Sequence, residues 1–533
     1  MSKKTLKKNI GSMSTAVLIS RISGLLRDQV FAYFFGVSFI ADAFNFAYTI
    51  PNLLRRLFGE GALGAAFIPI YQEIGVKKDK KIQINFAINV LSLLTLFLSV
   101  LSLLGIIFSP AIIEFLTHIL PQFLKNIFHI TGALNSGFSP ETLNLTVKLV
   151  RLLFPYLFFI GISSTLISIL NSHNYYFLPG LTSAFLNFAM IGSMSLVFFF
   201  PNIQTSQLVI LLSIGVLIGG ILQVVLNFPL LRKIGYGFKF DFSFKGKALS
   251  ELWNKFLPGV WGIAVRQINL LADRTLASML ITGSISALNY GNRIMQLPLG
   301  IFGVSVGTAV IPHFSRNVAT ENWKEFNEKL EYAVSLLAFI MIPVTFLIIL
   351  LGKDYIHILF MRGAFNKKAL TMSYNALVFY SLGLIFYSLN RVYTAIFYSM
   401  KNTKTPFIIA SVTVGINIIL NLILMNMMSY KGLALATSIS SAIQLIIILV
   451  ILNIRYKQII LSNVILEIFK IALSSTVMFF LISFAIKRFT SFGFGASFVR
   501  TLLFSFGGIL IYFILLIGFR SYTAVSFYKK LKR

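Results

Sequence analysis

The chain has 533 residues, 57% hydrophobic and 12% charged, with a formal charge of +30. Soluble domains carry about 25% charged residues, so this composition excludes an ordinary soluble protein and indicates a polytopic membrane protein. The sequence contains no cysteine, which excludes disulfides, thiolate metal sites and cysteine catalysis. Its five histidines form no HxxxH or HExxH pair, so no metal site is expected.

Spans need about 20 mostly apolar residues. Residues 10–35 form the first, and Arg21 interrupts its apolar run with no small-residue cleavage site nearby, so it reads as a retained span and not a signal peptide. Ser20, Gly24 and Arg27 share one stripe of that helix, with Arg21 and Asp28 on the adjacent one. The second span, 39–70, carries Asp42, Asn45, Thr49, Asn52 and Arg56 at alternating spacings of three and four, with Arg55 one step aside. Pro51 should kink it.

Further spans are expected at 84–108, 144–170, 178–200 and 206–231, with AIIEFLTHIL in the 109–141 loop reading as a short interfacial helix. The seventh, 250–281, aligns Arg266, Asn269 and Asp273, and the eighth, 284–312, aligns Asn289, Asn292, Arg293 and Gln296. A glycine line at 300, 303 and 307 then suits close helix packing. The rest follow at 329–352, 369–397, 405–427, 431–454, 463–486 and 496–519, making fourteen. Asn390 and Arg391 fall in the tenth, and the sequence assigns Arg391 no role.

Most of the excess basic charge sits in short segments at 1–8, 77–81, 232–247, 401–404, 455–457 and 529–533. These recur after every second span, as cytoplasmic loops do. Membrane topology therefore explains the charge without a nucleic-acid partner, and both termini are expected in the cytoplasm.

An internal repeat divides the chain. GALGAAFIPIY (61–71) matches VSVGTAVIPHF (304–314), AFNFA (43–47) parallels ALNYG (287–291), and ILNSHNYYFLPG (169–180) resembles IFYSMKNTKTPF (396–407). The offsets predict an N-terminal lobe at 1–231, a C-terminal lobe at 232–455, and two extra helices with a basic tail at 456–533. Parallel repeats place a substrate path at the interface between halves.

A charge at the bilayer centre costs about 2.5–3.5 kcal/mol on insertion scales. Arg27, Asp28, Asp42 and Arg55 facing lipid would together cost on the order of 10 kcal/mol. They must face a watery or protein-lined interior. Stripes from equivalent helices of the two halves would line a cationic cavity, and arginine's planar fork suits phosphate oxygens. The alternative is structural: Arg21 and Asp28 as a pair, Arg55 and Arg56 snorkelling to an interface. Asp273 either neutralises an arginine or binds a coupling cation, Na+ or H+. No phosphate-binding loop, GxSxG elbow or catalytic carboxylate pair is present. The chain reads as a transporter without a cofactor, driven by an ion gradient, the membrane potential or the gradient of its cargo.

The segments SRISGLLRD (20–28), DAF (42–44), PNLLRRLFGEGA (51–62) and AFIPI (66–70) resemble the signature of the MurJ/MviN lipid II flippases. The likeness continues through FPYL (154–157), LPGL (178–181), LAS (276–278), NRIMQLPLGIFGVSVGTAVIP (292–312) and NTKTP (402–406). The resemblance implies an all-α fold of fourteen transmembrane helices in the bacterial inner membrane. Two six-helix lobes related by a pseudo-two-fold would be followed by two helices bordering a lipid groove. It implies the undecaprenyl-diphosphate-linked disaccharide-pentapeptide, lipid II, as cargo, with membrane lipids and cell-wall synthesis proteins as partners. The family's cavity arginines match Arg21, Arg27, Arg55 and Arg293, and its acids match Asp28 and Asp42. Asn292 stands where some relatives have an acid, leaving Asp273 as the expected acidic partner. The rival readings are a flippase for another polyprenyl-diphosphate glycan, a multidrug or cation exporter, and a cell-wall scaffold. An arginine-rich cavity disfavours cationic cargo, and a scaffold needs no intramembrane arginine.

Overall fold

Inside hydrocarbon every backbone N–H and C=O must be satisfied by the protein itself, and a helix does this within one segment. The computed structural model follows that rule. It describes residues 3–57, 62–127, 137–237, 239–244, 246–459, 464–491 and 498–525, and no strand occurs among them.

The chain packs as two units, the first running through Gly283 with Arg362–Phe365 added, the second holding most of the remainder. In the first, α1 is Lys3–Phe35, α2 Phe39–Arg55, α3 Ala62–Lys77, α4 Lys80–Glu114, α5 Leu120–Ile127 and α6 Pro140–Ser172. It continues with α7 Phe177–Ser195, α8 Thr205–Val225, α9 Phe228–Lys233 and α10 Lys247–Ala277. The second holds α11 Ser284–Pro298, α12 Val304–Ala319, α13 Trp323–Phe360, α14 Lys367–Ser381 and α15 Leu384–Ser399. Its last helices are α16 Lys404–Met428, α17 Tyr430–Arg455, α18 Val464–Ser491 and α19 Phe498–Gly518. The repeat boundary at 231/232 is a division by sequence offset. In the packing, the segment from there to Gly283 groups with the first unit.

Among the described residues, ten helices are long and apolar enough to cross a membrane. The count becomes eleven if α14 and α15, bent by 41° at their junction, make one span. In the other segments expected to cross, 10–35, 39–70 and 250–281, the helices α1, α2, α3 and α10 do not reach that length and apolarity within the described residues. They carry the charged stripes, and α2 and α3 are only 17 and 16 residues long.

Of span 39–70, α2 and α3 are described, and the FGEG of its motif (58–61) between them lies outside the described residues. Two expectations change in detail. AIIEFLTHIL is not a separate interfacial helix, because α4 continues through a widened π turn at Phe115–Ile119 into α5. The eighth span likewise widens at Leu299–Gly303 between α11 and α12. Gly303 and Gly307 are needed for packing: a Cβ would approach Ser388 Oγ to 2.9 Å at the first and Arg391 Cβ to 2.8 Å at the second. Gly300 has open space.

The repeat is visible in the backbone of two turns. After α6, the Tyr175 N–H bonds the Leu170 carbonyl at 3.0 Å, and Asn174 adopts φ 65°. After α15, the Asn402 N–H bonds the Phe397 carbonyl at 2.9 Å, and Lys401 adopts φ 58°. The His173 to Leu170 and Met400 to Phe397 bonds match as well, at 3.0 and 3.1 Å. These are Schellman-like ends, in which a left-handed residue turns the chain and satisfies orphan carbonyls. All fall at the register that pairs ILNSHNYYFLPG with IFYSMKNTKTPF.

The core of the first unit includes Phe67, Tyr71, Phe86, Leu98, Leu157 and Phe256. In the second, α18 and α19 pack on α13 through Leu347, Leu351, Met478, Tyr512 and Leu516. Arg500 Nη2 to Asp354 Oδ2 at 2.7 Å and the Tyr512 hydroxyl to the Phe339 carbonyl at 2.8 Å fasten α19 there. α7 and α8 meet so closely that a Cβ on Gly219 would lie 2.9 Å from the Leu186 Cα. Gly219→Leu should therefore cost about 1–3 kcal/mol of overpacking. Gly192→Leu, where nothing lies within 4 Å, should leave the thermal unfolding midpoint in detergent unchanged. Equal midpoints for the two variants would refute this helix contact.

Candidate functional site

In the first unit the intramembrane charge is organised around Arg27. Its Nη2 lies 2.6 Å from Asp28 Oδ1, and its Nε bonds the same oxygen at 3.1 Å. Nη1 donates to Asn187 Oδ1 on α7 at 3.1 Å. Asn187 Nδ2 in turn donates to the Ser20 carbonyl at 3.2 Å and to Ser23 Oγ at 3.0 Å. One amide therefore ties α7 to α1 and holds the guanidinium. The pair is half-buried, with 20% and 17% of the two side chains exposed. Tyr48 on α2 and Tyr156 on α6 lie near Arg27, and their rings are 6.1 Å apart. Asp28 therefore partners Arg27 directly, on the neighbouring residue.

α2 separates its polar residues along its length. Asp42 lies in the first turn, behind the Ser38 N-cap, and is buried. Its Oδ2 accepts the Gly283 N–H at 2.6 Å. It also lines a cavity of about 380 Å³ with Phe39, His118, Phe138, Thr142 and Thr282. Arg55 sits 13 residues on, roughly 20 Å along the axis at 1.5 Å per residue. There its Nε donates to Asn52 Oδ1 at 2.7 Å, one turn back, beyond Pro51. Asp42 and Arg55 thus occupy opposite ends of one helix and cannot hold the same small group. Arg55 is half-buried, whereas Arg21 and Arg56 are exposed. On α10, Asp273 is half-buried and Arg266 exposed.

In the second unit, α11 presents Asn292, half-buried, and Arg293, exposed. Gln296 Nε2 donates to Asn292 Oδ1 at 3.1 Å, one helical turn apart. Asn390 is held by the Ser441 carbonyl and hydroxyl, both at 2.9 Å, while Arg391 packs its Cβ over Gly307.

Sequence reasoning missed Asn187. The signal was a lone amide in the otherwise apolar run SAFLNFAMIGS, where an unpaired polar group in lipid is costly. Replacing it with leucine removes its bonds to Arg27, Ser20 and Ser23. Asn187→Leu should lower stability by about 1–3 kcal/mol, read as a drop in the melting midpoint in detergent, with exposed Lys78→Gln unchanged. Matching midpoints would show that the amide does not hold α1 to α7.

Known proteins resemble this chain over most of its length. The family model described as "Lipid II flippase MurJ" matches residues 31–504. A "Probable lipid II flippase MurJ" from Buchnera aphidicola subsp. Baizongia pistaciae is 34% identical over 430 residues, covering 80% of each chain. One from Vibrio cholerae serotype O1 is 32% identical over 434 residues, covering 81% of this chain and 80% of the relative. Among solved structures, a lipid II flippase MurJ in an inward closed conformation superposes with TM-score 0.75 and 31% identity, covering 98% of this chain and 99% of that one. An inward-facing multidrug resistance transporter of the MATE family in the MOP superfamily superposes with TM-score 0.63 at 14% identity, over 84% of this chain and 98% of that one, a likeness of fold. Together with the helical, apolar architecture, these matches show that the chain belongs to the MurJ family of lipid II flippases.

Proposed function

We propose that this protein flips lipid II, the undecaprenyl-diphosphate-linked disaccharide-pentapeptide, from the cytoplasmic to the outer leaflet of the bacterial inner membrane. The full-length match to a lipid II flippase carries this reading, and the family is one of transporters, not enzymes. The finer architecture belongs to the same proposal: fourteen spans, two six-helix lobes, a lipid groove beside the last two helices, and cytoplasmic termini. Partner proteins of cell-wall synthesis are part of it too.

The mechanism is alternating access through a cationic cavity. Arg27, Arg55 and Arg293 serve the diphosphate, while the polyprenyl tail stays in lipid. Arg27 is already bound to Asp28, so it engages a phosphate by exchanging one anion for another. That exchange keeps the guanidinium neutralised before the cargo arrives and after it leaves, which an isolated intramembrane arginine could not achieve. Arg21, Arg56 and Asn292 contribute polar contacts to the head group. Asp42, at the far end of α2, acts on a different part of the path from Arg55.

Asp273 is the proposed acid for a coupling Na+ or H+. The buried Asn269 Oδ1, one helical turn earlier, lacks a hydrogen-bond donor. Residues four apart share a helix face, so this oxygen and the Asp273 carboxylate lie on the same side of α10.

A leaflet-accessibility assay of the lipid-linked precursor tests the reading. Depleting the protein should accumulate lipid II on the cytoplasmic side, and an unchanged distribution would reject the function. A charge-assisted hydrogen bond is worth about 1.5–3 kcal/mol, equivalent to about a tenfold to hundredfold change in affinity. Arg27→Ala, Arg55→Ala and Arg293→Ala should each lose at least that much transport while still inserting into the membrane. Retained transport in all three would reject the arginine assignment. Asp273→Asn should abolish dependence on the coupling ion, and ion-independent transport by both forms would reject that role.

A further inference from the structure

The connector between α9 and α10 carries an alternating sequence, Lys239-Phe240-Asp241-Phe242-Ser243-Phe244. Its alternate residues are pinned to α4. Ser92 Oγ accepts the Asp241 N–H at 2.9 Å, and Asn89 Nδ2 donates to the Asp241 and Ser243 carbonyls at 3.0 and 2.8 Å. The Asp241 carboxylate turns onto its own backbone and accepts the Ser243 N–H at 3.0 Å. The phenylalanines between them stand clear: Phe240 is 71%, Phe242 49% and Phe244 73% exposed. The Phe240 and Phe242 rings are parallel to within 3° at 5.9 Å, so they project together.

We propose that this segment is a membrane-docking comb. Phe240, Phe242 and Phe244 enter the boundary between headgroups and acyl chains of an anionic leaflet, and the neighbouring Arg232, Lys233, Lys239 and Lys247 lie against its phosphates.

Two observations fix a lipid surface as the occupant. First, the comb continues apolar surface that already faces outward. Ser92 lies one helical turn before Leu96, and from there Leu96, Val100, Leu103 and Ile107 form an exposed apolar line on one of the spanning helices. Beyond the comb, α10 exposes Trp253, Leu257 and Trp261 at four-residue spacing, the aromatic type enriched at membrane interfaces. Second, the four basic side chains are all exposed, while the nearby acids are engaged elsewhere, Asp241 with its own backbone and Glu251 with Lys255 at 2.6 Å. Apolar rings beside exposed cations form the pattern of interfacial anchors on anionic lipid. The docking is independent of the cargo and of the proposed transport.

The cysteine-free sequence permits a direct test. Phe240→Cys, Phe242→Cys and Phe244→Cys, each labelled with an environment-sensitive fluorophore, are reconstituted into vesicles of phosphatidylcholine with phosphatidylglycerol. Lys78→Cys, in the exposed turn between α3 and α4, is the aqueous reference. Shallow nitroxide-labelled lipid should quench the comb labels several-fold more than the reference, with blue-shifted emission. Lys239→Gln with Lys247→Gln should reduce that quenching only when phosphatidylglycerol is present. Three separate positions keep the test readable if one variant misfolds. Quenching no greater than at position 78 would overturn the proposal. So would labels shielded from both lipid nitroxide and aqueous iodide, which would mean that protein covers the rings. Quenching indifferent to lipid charge would overturn the role of the basic side chains.

Discussion

A carboxylate and a guanidinium on successive residues, Asp28 and Arg27, hold the central problem of this molecule in one pair. A chain crossing hydrocarbon can keep its backbone satisfied by coiling, but each side-chain charge it carries inward must find its own compensation. Here the compensation is local and shared. The acid takes two guanidinium N–H groups, an amide on α7 takes a third, and that amide reaches back to α1. The charge is thus fixed in place by the same contacts that join two helices. A guanidinium held this way would be costly to strip of its partners in a low-dielectric interior.

The same economy shapes the other polar stripes. α2 distributes its polar residues over its whole length, with Asp42 committed to the Gly283 amide at one end and Arg55 braced by Asn52 at the other. The helix is therefore less a single binding site than a polar track. The helices bearing these tracks are mostly those that fall short as spans by length or apolarity, while the helices without them are strongly apolar. Polarity that weakens insertion is thus concentrated in a few helices and kept out of the strongly apolar ones.

The repeat shows how much of this was legible beforehand. ILNSHNYYFLPG and IFYSMKNTKTPF share few identities, yet both stop a helix with a left-handed residue at the same register and with the same backbone bonds. The glycines at 303 and 307 were readable as packing positions because a missing Cβ has one common use in a membrane helix, close approach of a neighbour. The Arg27–Asp28 pair was not readable from the helical wheel. Adjacent residues point about 100° apart, and only the length and curl of an arginine side chain lets them meet.

Length, apolar runs, basic loops and the spacing of intramembrane charges were enough to establish a many-helix membrane protein, its internal repeat and its likeness to the lipid II flippases. These properties are local or periodic along the chain, so a helix preserves them. Which partner each charge takes was decided only by tertiary structure. Asn187 reaching Arg27, Gly283 reaching Asp42, and Asn89 with Ser92 drawing the connector onto α4 join residues about 150 to 240 positions apart. No periodicity encodes such a meeting, because it depends on the rotation of each packed helix about its axis, and that rotation is set by all its neighbours at once.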